Sequence, residues 1–554
     1  MDTIRFVLVV ALSLVGMMLW QSWQEDYPPA RNTQQQTETR QEQPALPDVE
    51  LSPQQESTEL VVVEKETSPS LAPTKTSRAR TISVETDLFS IKLNSRGGGI
   101  DRLELKQYPR EASNPDEPFV LMDNSDELLY LLQGGLLSKQ ESPTHENIYR
   151  FDKDSYVMEA GQETLFVPMT WEGENGNSVT KTLVFNRDSY LLGITYEVSN
   201  NSTQTWQGRS YQQIKRRAPS DGRRLIYTYT GAVISSPEER YEKIDFDDMQ
   251  DQKVERDTSN GWVAMLQHYF VTALVPVNKE KNYRYYTNAL SNQRYIVGAI
   301  SPAIAIAAGE SATIEEQLYI GPKILEDLAE ISDGLELTVD YGVLWFIAKP
   351  LFLVLDKLHD FTGNWGWSII LVTIILKAIF FPLSAAGYKS MANMRRVQPR
   401  MMAIKDRYKD DKTKLNQAMM QIYKEEKINP LGGCFPILVQ IPVFIALYWV
   451  LLESVEMRQA TFALWLQDLS SPDPYFVLPL VMGLTMFIQQ KLNPAPMDPV
   501  QEKVMSVLPI AFTIFFAFFP SGLVLYWVVN NILSIAQQWQ ITRSLERAGI
   551  KSKS

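Results

Sequence analysis

The chain has 554 residues, 45% of them hydrophobic and 21% charged, with a formal net charge of −12. Its single cysteine, Cys434, excludes an internal disulfide framework, and its three histidines (His145, His268, His359) lack metal-ligand spacing, so no cofactor or metal is expected. The acidic balance argues against nucleic acid as a main partner, and there is no phosphate-binding loop, dinucleotide fingerprint or nucleophile elbow to suggest an enzyme.

These averages conceal a partition. Residues 24–340 carry 31 Lys+Arg against 50 Asp+Glu, whereas residues 341–554 carry 21 against 14 and are far more apolar. Residues 4–23 form an apolar run of about 20 residues, about 30 Å of helix, which is enough to cross a bilayer. It ends in Trp20-Gln21-Ser22-Trp23 with no small-x-small cleavage site, so residues 1–23 are expected to be an uncleaved signal anchor. Arg5 at its leading end and Glu25-Asp26 after it place the N-terminus in the cytoplasm. Residues 24–80, rich in Gln, Glu, Thr, Ser and Pro, predict a disordered linker.

From Thr81 the pattern alternates. Residues 82–95, 100–108, 178–186 and 190–200 predict strands, and similar runs continue to 318–321. Residues 81–336 are therefore expected to form a large exported all-β sandwich. Arg96-Gly97-Gly98-Gly99, between two strand-like runs, predicts a tight turn. Residues 337–362 predict an amphipathic helix in the outer interface, with Phe346, Leu353 and Leu358 near one stripe.

The remainder predicts five further spans, six in all. The expected segments are transmembrane helices at 363–386, 431–453, 475–491, 504–519 and 521–540. Between them lie a cytoplasmic helical hairpin at 387–430, a periplasmic loop at 454–474 and a cytoplasmic loop at 492–503, and a basic tail follows at 541–554. The 387–430 segment holds eleven Lys+Arg against five acids, which assigns it, with the tail, to the cytoplasm, and residues 24–362 to the other side.

Polar residues in these spans fall into stripes. Thr373 and Lys377 are four apart, with Ser384 eleven beyond Thr373; Thr485 and Gln489 are four apart; Ser506 and Thr513 are seven apart; Asn530, Ser534 and Gln537 follow one face, with Trp527 a turn earlier. Gln440 stands mid-span. Such stripes on several helices predict a shared hydrated groove. Lys377 lies about 16 Å along the helix from Tyr388, too far to snorkel, and the five spans contain no Asp or Glu to neutralise it except Glu453, which stands at an outer end. An ammonium so placed is available to a transient anionic visitor. In the hairpin, Met391, Met394, Met401 and Tyr408 on one helix and Leu415, Met419 and Ile422 on the other recur at helical spacing, giving an adaptable methionine-rich surface.

Several runs carry a resemblance: TVDYGVLWFIAKPLF (338–352), GNWGWSIILVT (363–373), NPLGGCFPILVQIPVFIALYWVL (429–451), Arg458 to Trp465, FPSGLVLYW (519–527) and, more loosely, GWVAMLQHYF (261–270). With these the chain resembles the YidC/Oxa-type membrane protein insertases in their long Gram-negative form, over nearly its whole length. The resemblance implies a polytopic α-helical membrane protein, a five-helix insertase core with a hydrophilic groove, joined to a periplasmic β-supersandwich domain. It implies that Lys377 stands where most members carry arginine, and that Thr373, Tyr526 and Trp527 line the substrate path. It also implies a bacterial inner-membrane location, nascent membrane proteins as substrates, the Sec translocon as partner, ribosome contact through basic cytoplasmic segments, and contact with membrane lipid. Two other readings are a secondary transporter or channel for a small anionic solute, and a carbohydrate-active enzyme in the β-region.

Overall fold

The computed structural model describes residues 79–219, 228–408, 411–426, 435–493 and 499–551. The expected anchor 1–23, nearly all of the linker 24–80, the hairpin turn at 409–410 and the segment 427–434 lie outside the described residues.

The β-region contains two sheets, one of eleven strands and one of eight. Every pairing in the smaller sheet is antiparallel. The larger has one parallel pairing, Thr81–Glu85 with Ser155–Val157. Strand alternation builds the core directly. In Ser178–Asn186, Val179, Lys181, Leu183 and Phe185 are buried and their neighbours are not. The inward faces meet through Trp206, Trp262, Tyr196 and Tyr285, all fully buried, each worth roughly 1.5–3 kcal/mol of transfer free energy. Polar groups caught between the sheets are paired. The Tyr130 hydroxyl donates to Thr272 at 2.8 Å, and the buried Arg216 guanidinium donates to the Leu266 carbonyl at 3.1 Å.

Two short helices, α1 (Phe246–Asp251) and α2 (Leu325–Ile331), belong to this region. The helical half follows: α3 (Trp345–Thr362), α4 (Trp365–Ile379), α5 (Phe381–Arg407), α6 (Lys412–Glu425), α7 (Phe435–Glu453), α8 (Val477–Leu492), α9 (Pro499–Phe516) and α10 (Ser521–Lys551). Gly363, in the left-handed conformation, ends α3, and the Asn364 side chain accepts from the Trp367 amide to start α4.

In α3, Ala348, Leu351, Phe352 and Leu355 pack inward, whereas Phe346 and Leu353, on the stripe expected to lie in the interface, are exposed. One expectation requires correction. The apolar run 363–386 is not one helix. It breaks at Phe380, where α4 and α5 meet at 67°. Pro382 lies in the first turn of α5, where a missing amide costs nothing, so it starts a new helix. The hairpin's first helix thus begins at Phe381, ahead of the expected 387. Among the described residues, no single helix is long and apolar enough to cross a membrane; the bent α4–α5 pair passes that test together.

The two halves meet at a buried joint. Lys323, after the last strand, donates to Glu453 at the end of α7 at 3.1 Å and to the Thr338 carbonyl at 3.0 Å. Both side chains of that ion pair are at most 5% exposed. Arg458 and Gln459 reach the Pro109 carbonyl at 2.7 and 3.1 Å, docking the 454–474 loop on the β-region.

Candidate functional site

Helices α4, α8 and α10 bring polar side chains together in the interior of an apolar bundle. Lys377 on α4 is 5% exposed, and its ammonium donates to Ser534 on α10 at 2.7 Å. The Ser534 hydroxyl in turn donates to the Asn530 carbonyl at 2.7 Å. Among the described residues, no carboxylate lies within 4 Å of the Lys377 ammonium (Glu453, at the end of α7, is held by Lys323). Thr373, one turn before Lys377, is buried and donates to the Ile369 carbonyl at 2.6 Å. Ser384 is buried too, but on α5 beyond the break, so its relation to Thr373 and Lys377 is set by the bend rather than by one helical face.

A second group ties α10 to α8. Asn531 donates to the Thr485 hydroxyl at 3.2 Å, and Thr485 donates to the Met482 carbonyl at 2.7 Å. Gln538 donates to the Leu492 carbonyl at 3.2 Å and to Asn493 at 3.0 Å. Asn531 and Gln538 were missed by the sequence reading, which followed Asn530, Ser534 and Gln537. Their spacing of seven residues was the available signal. Asn530, Gln537, Gln440 and Gln489 are half-buried.

Four expected residues sit elsewhere. Tyr526 and Trp527 belong to an aromatic cluster: Phe444 stacks on Tyr526 at 6.0 Å and meets Trp527 edge-on at 5.0 Å, and Phe516 lies 5.7 Å from Trp527. Ser506 is exposed and bonded back to the Glu502 carbonyl at 2.8 Å. Thr513 bonds back to Pro509 at 2.8 Å, and a Cβ at Gly483 would fall 2.0 Å from its oxygen, so Thr513 marks a close α8–α9 approach.

The outer surface has the opposite character. Ile375, Ile379, Leu480, Leu484, Phe487, Ile510, Ile514 and Ile532 are all exposed. Polar groups inside and large aliphatics outside is the inversion a hydrocarbon solvent demands.

In the hairpin, Val397, Met401 and Ile422 form a small core, with Met394 and Met419 packed on it. Glu426 accepts from Arg400 at 2.8 Å and Arg396 at 3.0 Å, closing the pair. Asp411 caps α6 through the amides of Thr413 and Lys414. Met391, Tyr408 and Leu415 are half-buried.

Comparison with known proteins supplies the family. Residues 81–354 match the YidC periplasmic domain, and residues 357–548 match the 60Kd inner membrane protein family. A curated "Membrane protein insertase YidC" of Thioalkalivibrio sulfidiphilus is 48% identical over 568 residues, covering 100% of both chains. That of Nitrosococcus oceani is 47% identical over 559 residues, covering 99% of this chain and 100% of the relative. That of Methylococcus capsulatus is 46% identical over 550 residues, covering 99% of each. An unbroken likeness of this degree, through both the β-region and the helical bundle, shows that the chain belongs to the YidC family of inner-membrane proteins.

Proposed function

We propose that this chain is a membrane protein insertase in which the buried polar set around Lys377 receives the polar flank of an incoming apolar segment. The relatives named above bear insertase names, not those of a transporter or an enzyme. The observation that carries the mechanism is the Lys377–Ser534 contact. It holds an ammonium inside an apolar bundle with a neutral partner and no carboxylate within 4 Å among the described residues. A buried charge without a counter-ion is costly, roughly 2.5–3.5 kcal/mol on insertion scales. An anionic flank that enters beside it offsets that cost transiently.

In this reading an apolar segment first meets the methionine-bearing hairpin, then lodges its polar flank against Lys377, Thr373 and the α8–α10 amides and hydroxyls. The segment leaves sideways into lipid, driven by hydrophobic partition. The topology that supports this has both termini in the cytoplasm, residues 24–362 in the periplasm and six spans, with α4 and the upper part of α5 as one bent span. Nascent membrane proteins are the substrates. The Sec translocon and, through the basic cytoplasmic segments, the ribosome are the proposed partners.

The test is depletion of the native protein and rescue with Lys377 variants, scored by insertion of acidic-flanked and neutral-flanked substrates. Lys377→Arg is expected to rescue both. Lys377→Glu is expected to lose at least tenfold on the acidic-flanked substrate and less on the neutral one. Equal insertion of both by Lys377→Glu overturns the electrostatic role.

A further inference from the structure

The β-region contains a cavity of about 420 Å³ that the insertase reading does not use. It lies where the Arg96-Gly97-Gly98-Gly99 turn, the strands Tyr130–Ser138 and Trp206–Arg217, and the turn at Asn292 converge. We infer that this cavity is a binding site for a small oxyanion ligand, a phosphate or a carboxylate borne on a hydroxyl-rich body, recognised by Arg96, Lys215, Arg217 and Arg294.

The walls are built for close approach. Gly97 and Gly98 have φ of +75° and +57°, and a Cβ at Gly97 would fall 2.5 Å from the His145 carbonyl oxygen. A side chain at Gly97 would therefore collide with fixed backbone. From the opposite sheet, the buried Lys181 ammonium donates to the Gly97 and Gly98 carbonyls at 3.2 and 3.1 Å, which pins the turn from beneath. His145 is fixed as well, its Nδ1 2.6 Å from the Tyr211 hydroxyl.

The lining holds four cationic side chains and the three carboxylates Asp101, Asp126 and Glu146, a formal excess of one positive charge. Among the described residues, Arg96 and Arg217 form no ion pair with them. Arg217 instead donates to the Asp126 backbone carbonyl, and its Nε is shielded from solvent without a partner. The Arg96 guanidinium, on an exposed residue of the cavity wall, is open to a charge-assisted bond from an incoming oxyanion. Burial raises the Asp101 carboxyl above its ordinary value. Of the carboxamides in the wall, Asn94 is spent on Asp101 and the Arg96 amide, whereas Gln133, whose carbonyl oxygen accepts from Gln213, keeps its amide N–H groups for a ligand hydroxyl. The volume falls within the usual range for small-molecule sites.

The test is isothermal titration calorimetry of the full-length protein in nanodiscs of zwitterionic lipid, with inorganic phosphate, glucose 6-phosphate and glucose as probes. Both phosphates are expected to bind and glucose is not. Tighter binding of glucose 6-phosphate than of phosphate supports a ligand with a hydroxyl-rich body. Equal binding would overturn that part of the inference. Arg96→Gln, at the exposed turn, is expected to weaken binding at least tenfold with the melting temperature unchanged; Lys92→Gln, on an exposed strand position, leaves binding unchanged. Absence of heat with either phosphate at millimolar concentration, binding of glucose as tight as that of its phosphate, or an equal loss in Lys92→Gln, overturns the site.

Discussion

Ser534 is the direct partner of the Lys377 ammonium, and the same hydroxyl bonds its own helix at Asn530. Removing it leaves a buried cation with one donor unmet. Hydrogen bonds to charged groups contribute about 1.5–3 kcal/mol. Ser534→Ala is therefore expected to lower the unfolding free energy by about that amount, measured by steric trapping in bicelles. Ser534→Thr, which keeps the hydroxyl, is expected to lose less than half as much. Equal losses in the two variants would show that packing, not the hydroxyl, supports Lys377. The polar stripes on α4 and α10 were visible in the sequence because three- and four-residue spacing survives folding. The choice between adjacent amides was not. Asn530 and Asn531 differ by 100° around the helix, and only the position of α8 shows that Asn531 is the one that meets Thr485.

At the scale of elements, the hairpin is a self-contained unit with a three-residue core of Val397, Met401 and Ile422. So small a core has little reserve. Large-to-Ala changes in cores cost about 2–5 kcal/mol, enough to open a two-helix unit. Met401→Ala is expected to raise hydrogen exchange at least tenfold across 391–408 and 411–426 and to leave exchange in the β-region unchanged. Unchanged exchange in the hairpin would mean that its helices are held by contacts other than this core. The periodicity of Met394, Val397, Met401 and Ile404 made these helices legible. The break at Phe380 was not, because the residues around it are uniformly apolar and Pro382 is acceptable in a first turn. Likewise, alternation located the strand Ser178–Asn186 and put Lys181 in phase with its inward set, but it gave no hint of the carbonyl partners that satisfy this ammonium, which lie more than eighty residues away.

At the scale of the whole molecule, the β-region and the helices are joined by groups distant in sequence. Lys323 and Glu453 are 130 residues apart, and no local pattern connects them. Beside them, Glu456 is pushed up to about 7 by burial first and then by repulsion from Asp356, Asp327 and Glu326. A carboxyl whose folded value lies above its unfolded value binds more protons when folded, so its contribution falls as pH rises from about 4.5 to about 7. Thermal stability is expected to decline across that window, and Glu456→Gln is expected to flatten the decline and to be the more stable form at pH 8. A wild-type profile that rises over this interval, or one that Glu456→Gln leaves unaltered, would contradict the assignment.

The central claim is that a nascent chain engages the interior polar face of α10 rather than its greasy exterior. Asn530, half-buried beside Ser534, and Ile532, 49% exposed on the outer surface, lie two residues apart on that helix. A photoreactive amino acid placed at each position, with a stalled nascent membrane protein in inverted vesicles, separates the two faces within one experiment. Adducts with the nascent chain at 530 that exceed those at 532 several-fold are the predicted result. Adducts equal at both positions, or stronger at 532, would contradict it.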